Sequence, residues 1–306
     1  MLLGIEIGGT KLQLVIGNAD GKILRRERCV VDKTRGGEGI REQIRATISK
    51  FRAAENIQAI GVGFGGPVDW RTGKICRSHQ IEGWSEFHLA SWLRDFIDIP
   101  VRVDNDANTA CLGEALLGAG QGRNPVFYIT LGSGVGGGLV VDGEIYHGAT
   151  PGEAEIGHVR LDRAGTIVEN RCSGWAVDRR IRESIKDSTG RLAELCGGLN
   201  AGEARHLSAA LVADDPLAAK ILKETAEDLA FALSHVVHLC HPEVIVIGGG
   251  LSLVGEPLRA AIAAALPKFV MHAFHPAPAI ALAGLGEDSV PTGALLLAKQ
   301  AAEAVK

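Results

Sequence analysis

Ile5-Glu6-Ile7-Gly8-Gly9-Thr10-Lys11, close to the N-terminus, and Thr130-Leu131-Gly132-Ser133-Gly134-Val135-Gly136-Gly137-Gly138, near the middle, decide how this chain folds. Each joins two apolar runs that read as strands. Each is followed by a second tight turn, Asn18-Ala19-Asp20-Gly21 in the first case and Asp142-Gly143 in the second. Glycine lets a backbone turn sharply and bring its N–H groups close to an anion. Two such hairpins, one in each half, point to two related lobes that hold one polyphosphate between them.

Working outward, the first half reads as strands at Leu2–Ile7, Leu12–Ile16 and Ile23–Val31. A helix follows at about Gly39–Ala54, with Ile40, Ile44, Ile48 and Phe51 on one face. Ala59–Gly63 is a further strand, Phe64–Asp69 a turn, Leu89–Phe96 a helix, Val101–Val103 a strand and Ala107–Leu117 a helix. The second half starts the pattern again with strands at Val126–Leu131, Gly138–Val141 and Glu144–Tyr146. Helices are expected at Gly174–Ser188, Gly202–Leu211 and Pro216–Leu239, then strand Val244–Ile247, helix Pro257–Leu266, strand Ala279–Ala283 and helix Thr292–Ala302. Strand-strand-strand-helix-strand-helix, twice, is an α/β order. The hairpin start separates it from a doubly wound dinucleotide fold, which opens with one strand and then a helix.

Composition narrows the function. With 306 residues, 46% of them hydrophobic and 22% charged, the chain is an ordinary globular protein of one large or two medium domains. A formal net charge of -4 and the lack of a long basic run argue against a nucleic-acid partner. The apolar runs are too short for a membrane span, and the N-terminus opens on a strand pattern without the basic segment and cleavage site of a signal peptide. Six scattered cysteines without a CxxC pair read as reduced thiols, so a cytoplasmic protein is expected.

Three apparent motifs fail on context. Gly61–Gly66 and Gly132–Gly137 both satisfy GxGxxG, but neither opens a helix, as a Rossmann fingerprint must. Gly9-Thr10-Lys11 lacks the GK[ST] of a P-loop. His235, His238 and His241 recur every third residue, which does not build a tidy ligand face, and read as bonded side chains near a helix C-terminus.

Other stretches carry chemistry. Beyond the first turn (Gly8, Gly9), Lys11 offers a point charge and Thr10 a hydroxyl to a phosphate. Glu6 is a carboxylate inside a strand, a costly position unless a Mg²⁺ ion, a water or the lysine uses it. Asp104-Asn105-Asp106-Ala107-Asn108 crowds polar residues at a strand-to-helix junction where one cap suffices. A carboxylate there is held ionised by the helix dipole, as a base must be. In Gly152–His158, Glu155 and His158 form a pair able to hold the hydroxyls of a polyol. Gly248-Gly249-Gly250 ends an apolar strand, where the backbone can approach a flat or anionic ligand.

In this order the pieces resemble the ROK family (repressors, open reading frames and sugar kinases) of the actin-like ATPase superfamily. The resemblance is carried by Gly4–Lys11, Gly63–Asp69, Asp104–Asn108, Leu131–Gly138, Gly152–His158 and Pro242–Ser252 and spans essentially the whole chain. It implies an α/β, two-lobe, ribonuclease H-like fold with duplicated βββαβα lobes and a central cleft. It puts one lobe at 1–118, with the terminal helix 291–306 packed back on it, and the other at 119–290. It further implies an ATP-dependent kinase acting on a hexose hydroxyl, typically the 6-hydroxyl. Asp106 would be the general base. Gly8, Gly9, Thr10, Lys11, Gly132, Ser133 and Gly134 would bind phosphates with Mg²⁺. Gly249 and Gly250 would lie against the adenosine. Asn105, Glu155 and His158 would hold sugar hydroxyls, with Gly65 and Gly66 near the ring. Glucose is the default sugar, an N-acyl amino sugar or fructose the alternatives, and polyphosphate an alternative donor. A homodimer is implied.

The chain departs from the family twice. Glu6 stands where Asp is usual. The zinc motif, a His followed by CxCGxxGC, is reduced to His158 and one cysteine in Val168-Glu169-Asn170-Arg171-Cys172-Ser173-Gly174-Trp175, so no structural zinc is expected. The acid that follows that motif and contacts sugar has Asp178 as its nearest counterpart. Family repressors carry a helix-turn-helix before the first glycine turn; this chain starts with the strand itself, which favours a kinase over a repressor. A sugar-binding protein without catalysis is the third reading.

Overall fold

Strand β1 (Leu2–Ile7) shows by its alternation how the first sheet is built. Leu3, Ile5 and Ile7 join one buried cluster and Leu2 another, so both faces of the strand are covered. The computed structural model describes residues 1–78, 81–152 and 154–304. Glu153, inside the Gly152–His158 stretch, and the last two residues of the expected terminal helix lie outside them.

After β1 come β2 (Lys11–Gly17), β3 (Ile23–Val30), α1 (Gly36–Arg52) and β4 (Ala59–Phe64). Three two-residue strands follow: β5 (Val68–Asp69), β6 (Lys74–Ile75) and β7 (Phe87–His88). Then come α2 (Leu89–Ile97), β8 (Val101–Asn105) and α3 (Asp106–Leu117). The second half has β9 (Val126–Leu131), β10 (Val135–Val141) and β11 (Glu144–Ile145). Its helices are α4 (Val168–Cys172), α5 (Gly174–Ser184), α6 (Arg191–Cys196), α7 (Leu207–Val212) and α8 (Pro216–Cys240). The chain ends with β12 (Val244–Gly248), α9 (Glu256–Ala265), β13 (Ala279–Leu282) and α10 (Ser289–Glu303).

Two five-stranded sheets result, β3-β2-β1-β4-β8 and β11-β10-β9-β12-β13, with the same internal order; β5, β6 and β7 form a small third sheet. In the first, β1 pairs antiparallel with β2 and parallel with β4, which pairs parallel with β8. In the second, β12 lies parallel between β9 and β13. The chain divides into two compact units: Met1–Gly122, Gly138–Ala154 and Glu287–Lys306 form one, Arg123–Gly137 and Glu155–Gly286 the other.

In the first unit, Ile40, Ile44, Ile48 and Phe51 of α1 are buried with Leu3, Ile5 and Ile7. Each such apolar side chain contributes about 1.5–3 kcal/mol on burial. The opposite face of the sheet carries α10, whose Leu295, Ala298 and Ala301 cluster with Leu2, Val15 and Ala59. Small residues let α10 approach closely. A Cβ added to Gly293 would overlap the Thr109 carbonyl of α3, and one added to Gly61 of β4 would overlap the Ala294 carbonyl. Ser289 Oγ also donates to Glu114 Oε1 at 2.7 Å, joining α10 to α3.

Local differences from the sequence reading have tertiary causes. Helix α1 starts at Gly36, three residues earlier than expected, despite glycines at 36, 37 and 39. The Gly37 amide donates to Glu82 O at 2.8 Å, an anchor that offsets the poor helix propensity of glycine. The β5–β6 hairpin closes on Asp69, whose carboxylate accepts from Arg71 N and Thr72 Oγ1, and on Gly73 at φ 69°. This Asx turn, Asp69-Trp70-Arg71-Thr72-Gly73, follows directly on the turn expected at Phe64–Asp69. The expected helix at 202–211 divides into a 3₁₀ turn, Glu203–His206, and α7.

Candidate active site

The sequence-predicted residues fall in both units. In the first, the β1–β2 hairpin sets Glu6 opposite Gln13 and closes with Gly8 N donating to Lys11 O at 2.7 Å. The Gly9 and Thr10 amides have no hydrogen-bond partner among the described residues. Glu6 Oε2 is the hub beside the turn: Gln13 Nε2 donates to it at 2.5 Å and Lys11 Nζ lies 3.7 Å away. Burial pushes the Glu6 carboxyl above its ordinary value, with a smaller upward push from the Glu287 charge; Lys11 and Gln13 oppose it. Gln13 is fully buried, and its Oε1 is left without a partner.

The second element of this half is the β8–α3 junction, and it separates the crowded polar residues by task. Asn105 is the N-cap: its Oδ1 accepts from Ala107 N at 2.8 Å and Asn108 N at 3.2 Å. Its Nδ2 donates to Gly66 O at 3.2 Å, which ties the Gly65-Gly66 loop to the junction. Asp106 is the first residue of α3, where the helix dipole favours a carboxylate. A Cβ on Gly65 would stand 3.3 Å from Asp106 Oδ2, 3.4 Å from Ile7 O and 3.5 Å from Gly8 Cα. Thus the glycine turn, the Gly65 loop and Asp106 converge. A small cavity beside them is lined by Gly8, Gly9, Phe64, Gly65, Ser78 and Trp84. Larger cavities of this unit, about 520 and 760 Å³, contain none of the predicted residues.

In the second unit, the turn Gly132-Ser133-Gly134 is held by Gly132 N to Gly134 O at 2.9 Å and by Gly174 N to Gly132 O at 2.7 Å. Glu169 was not singled out from the sequence. Its Oε2 accepts from Val135 N at 2.9 Å and lies 2.6 Å from where a Gly134 Cβ would be. Gly249, at φ 80°, presses on the backbone of Leu131, so the Gly249-Gly250 corner and the second glycine turn are neighbours. Gly250 faces open space. Glu155 and His158 sit on one short turn, with His158 N donating to Glu155 O at 3.0 Å. Both are exposed, and Gly157 between them lies against Val135 O.

Asp178 has another task. It is 7% exposed, and its oxygens accept from Gly202 N at 3.0 Å and Ala204 N at 2.7 Å. A carboxylate bonded to two backbone amides clamps the loop that carries them. Cys172, the one cysteine of the reduced zinc motif, is buried, with its thiol directed at Thr225 O at 4.0 Å. Burial pushes that thiol up to about 12. No group of three His, Cys, Asp or Glu among the described residues is arranged to hold a metal ion. His235, His238 and His241 have packing partners: His235 meets Phe231 edge-on, His238 Nε2 accepts from Met271 N, and His241 stacks on Phe274.

Paired five-stranded sheets, each opening with a glycine-turn hairpin, define an α/β protein of the actin-like ATPase fold. A sequence model of the ROK family matches residues 2–301, and the chain belongs to that family. It is 30% identical over 308 residues to a glucokinase of Thermotoga maritima, covering 98% of this chain and 97% of that one. A solved ROK family glucokinase from Streptomyces griseus, in complex with glucose and AMPPNP, matches with a TM-score of 0.84 at 28% identity, over 98% of this chain and 99% of that one. A ROK hexokinase from Thermus thermophilus matches with a TM-score of 0.82 at 28% identity, over 99% of each chain.

Proposed function

We propose that this protein is an ATP-dependent hexose kinase that phosphorylates the 6-hydroxyl of glucose, with Asp106 as general base. The observation that carries the reading is the setting of Asp106. Its carboxylate stands at the N-terminus of α3 against the Gly65 backbone, where the absence of a side chain leaves room for a sugar ring. Asp106 accepts the hydroxyl proton while that oxygen attacks the γ-phosphorus. The bond from the γ-phosphorus to the β,γ-bridging oxygen breaks, and ADP leaves. A base so positioned contributes on the order of 10²–10⁴ in rate.

In the same reading Asn105, Glu155 and His158 hold sugar hydroxyls. The unpartnered Gly9 and Thr10 amides and Lys11 receive phosphate oxygens, as does the turn at Gly132, Ser133 and Gly134. Gly249 and Gly250 lie against the adenosine, Gly250 offering the open backbone. Magnesium suits this chemistry because it spreads phosphate charge and takes few protein ligands beside phosphate oxygens. Glu6, with the unpartnered Gln13 Oε1 beside it, offers oxygen donors of the right hardness. Lys11 Nζ, 3.7 Å from Glu6 Oε2, would supply a further positive charge beside the same phosphates. A homodimer and a cytoplasmic location belong to the same reading; no helix among the described residues is long and apolar enough to cross a membrane.

A coupled ADP-release assay over glucose, fructose, mannose and N-acyl amino sugars tests it, with ATP and with polyphosphate as donors. Turnover with glucose and ATP is expected, together with a loss of about 10²-fold or more in Asp106→Asn. No turnover with any sugar, or full turnover in Asp106→Asn, refutes the proposal.

A further inference from the structure

Asp104 is 4% exposed and shares its carboxylate three ways, all within the first unit. Oδ1 accepts from Asn105 N at 2.8 Å and from Asn108 Nδ2 at 3.0 Å; Oδ2 meets His147 Nε2 at 2.7 Å. With a carboxylate as partner, Nε2 is the protonated nitrogen. The fully buried Asn108 amide also donates to Gly152 O at 2.9 Å. His147 lies flat on Trp70, with ring centroids 4.2 Å apart and planes 13° from parallel. A cavity of about 160 Å³, lined in part by Arg102, Glu144 and Gln300, opens beside both rings. The stack on Trp70 keeps the ring from swinging away into that space.

None of this is needed to cap α3, because Asn105 does that alone. What the extra contacts achieve is to hold the Asn105 amide and the Asn108 side chain to one anchored carboxylate. We propose that Asp104, Asn108 and His147 are positioning residues that fix the head of α3, and with it Asn105 and Asp106, and tie it to residues 146–152, the stretch that leads to Glu155 and His158. The inference rests on the kinase reading for its kinetic consequence. None of the three touches the reacting atoms; they act through Asn105 and Asp106.

Two substitutions at one residue separate the hydrogen bond from the packing. His147→Phe keeps a flat ring on Trp70 and removes the donor. His147→Gln keeps an N–H donor near the Nε2 position and removes the ring. Misplacing a reacting group by 1 Å costs on the order of 10²-fold, so His147→Phe is expected to lower kcat about tenfold with the ATP KM little changed. Amide hydrogen exchange of the free enzyme is expected to speed up at 105–108 and to stay as in the wild type at 244–248. His147→Gln is expected to recover most of both effects. Wild-type kcat and exchange in His147→Phe, equal impairment of the two variants, or faster exchange throughout the chain overturns the inference. If no sugar is turned over, the kinase reading falls, and the exchange measurement still decides whether His147 holds the α3 head.

Discussion

Replacing Gly65 by alanine probes the proposed sugar position with the least disturbance to the fold. The new methyl meets Ile7 O at 3.4 Å and Gly8 Cα at 3.5 Å, ordinary contacts with backbone that leave the glycine turn in place. Its tight contact is with Asp106 Oδ2 at 3.3 Å, so the carboxylate has to yield by two or three tenths of an ångström. If 1 Å costs on the order of 10²-fold, a shift of about 0.3 Å costs roughly fourfold in kcat. The methyl also occupies space assigned to the ring, and one excess methyl in a pocket costs about 1–3 kcal/mol. Together these lower kcat/KM for the sugar by about 30-fold or more. Gly65 is not among the glycines with positive φ, so alanine adopts its backbone without strain and global stability stays within about 0.5 kcal/mol. Steady-state kinetics with each substrate varied in turn, beside urea unfolding of both proteins, read all three quantities. An unchanged kcat/KM for the sugar refutes the reasoning. So does an equal rise in the KM of sugar and ATP, which would mean that the turn and not the base had moved.

Two further outcomes follow from the same unit. Glu6→Gln removes a buried carboxylate and gives the orphaned Gln13 Oε1 an amide donor, so the variant is expected to be the more stable protein near neutral pH. The folded-state value of Glu6 lies above 4.5, so the native protein holds this proton to higher pH than the unfolded chain. The wild-type disadvantage is absent below about 4.5, grows as pH rises through the folded value and is constant above it; urea melts at a series of pH values check this, and a gap that widens on acidification contradicts it. Gly293→Ala forces a methyl into the Thr109 carbonyl, between two backbones that cannot yield. It is expected to lose about 1–3 kcal/mol or more of stability, seen as a lower urea midpoint with unchanged slope.

How much was legible depended on how far apart in the chain the partners lie. The duplicated hairpins stand out because a glycine turn and its flanking strands occupy a dozen residues, and both sheets did form around them. The polar cluster Asp104–Asn108 was visible as a surplus, but its division of labour was not. The partner that gives Asp104 its role, His147, is 43 residues away and carries no motif of its own. The bonds of Asp178 were hidden for the same reason, since the Gly202 and Ala204 amides that it accepts from lie more than 20 residues along the chain. Glu169 was passed over because an acid in the first turn of a five-residue helix has no local signature, and only the fold brings it to Val135 N.

Gln13 is the instructive exception. Strand β1 pairs Ile7 with Leu12 around the turn, so counting outward sets Glu6 against Gln13, a register available from the hairpin alone. An amide opposite a strand carboxylate is a cross-strand pair of the kind that stabilises a sheet. It answers the question the extra methylene of Glu6 raises. The longer side chain reaches back across the hairpin to a donor on its own sheet and draws Lys11 to 3.7 Å. The departure from the family's usual aspartate is thus accommodated by a neighbour one strand away, and the turn keeps its open Gly9 and Thr10 amides. If Gln13 is what makes glutamate tolerable at this position, then Glu6→Asp should lose the Gln13 contact while Glu6→Asp combined with Gln13→Leu should not be worse. Nucleotide KM in those two variants reads the coupling directly.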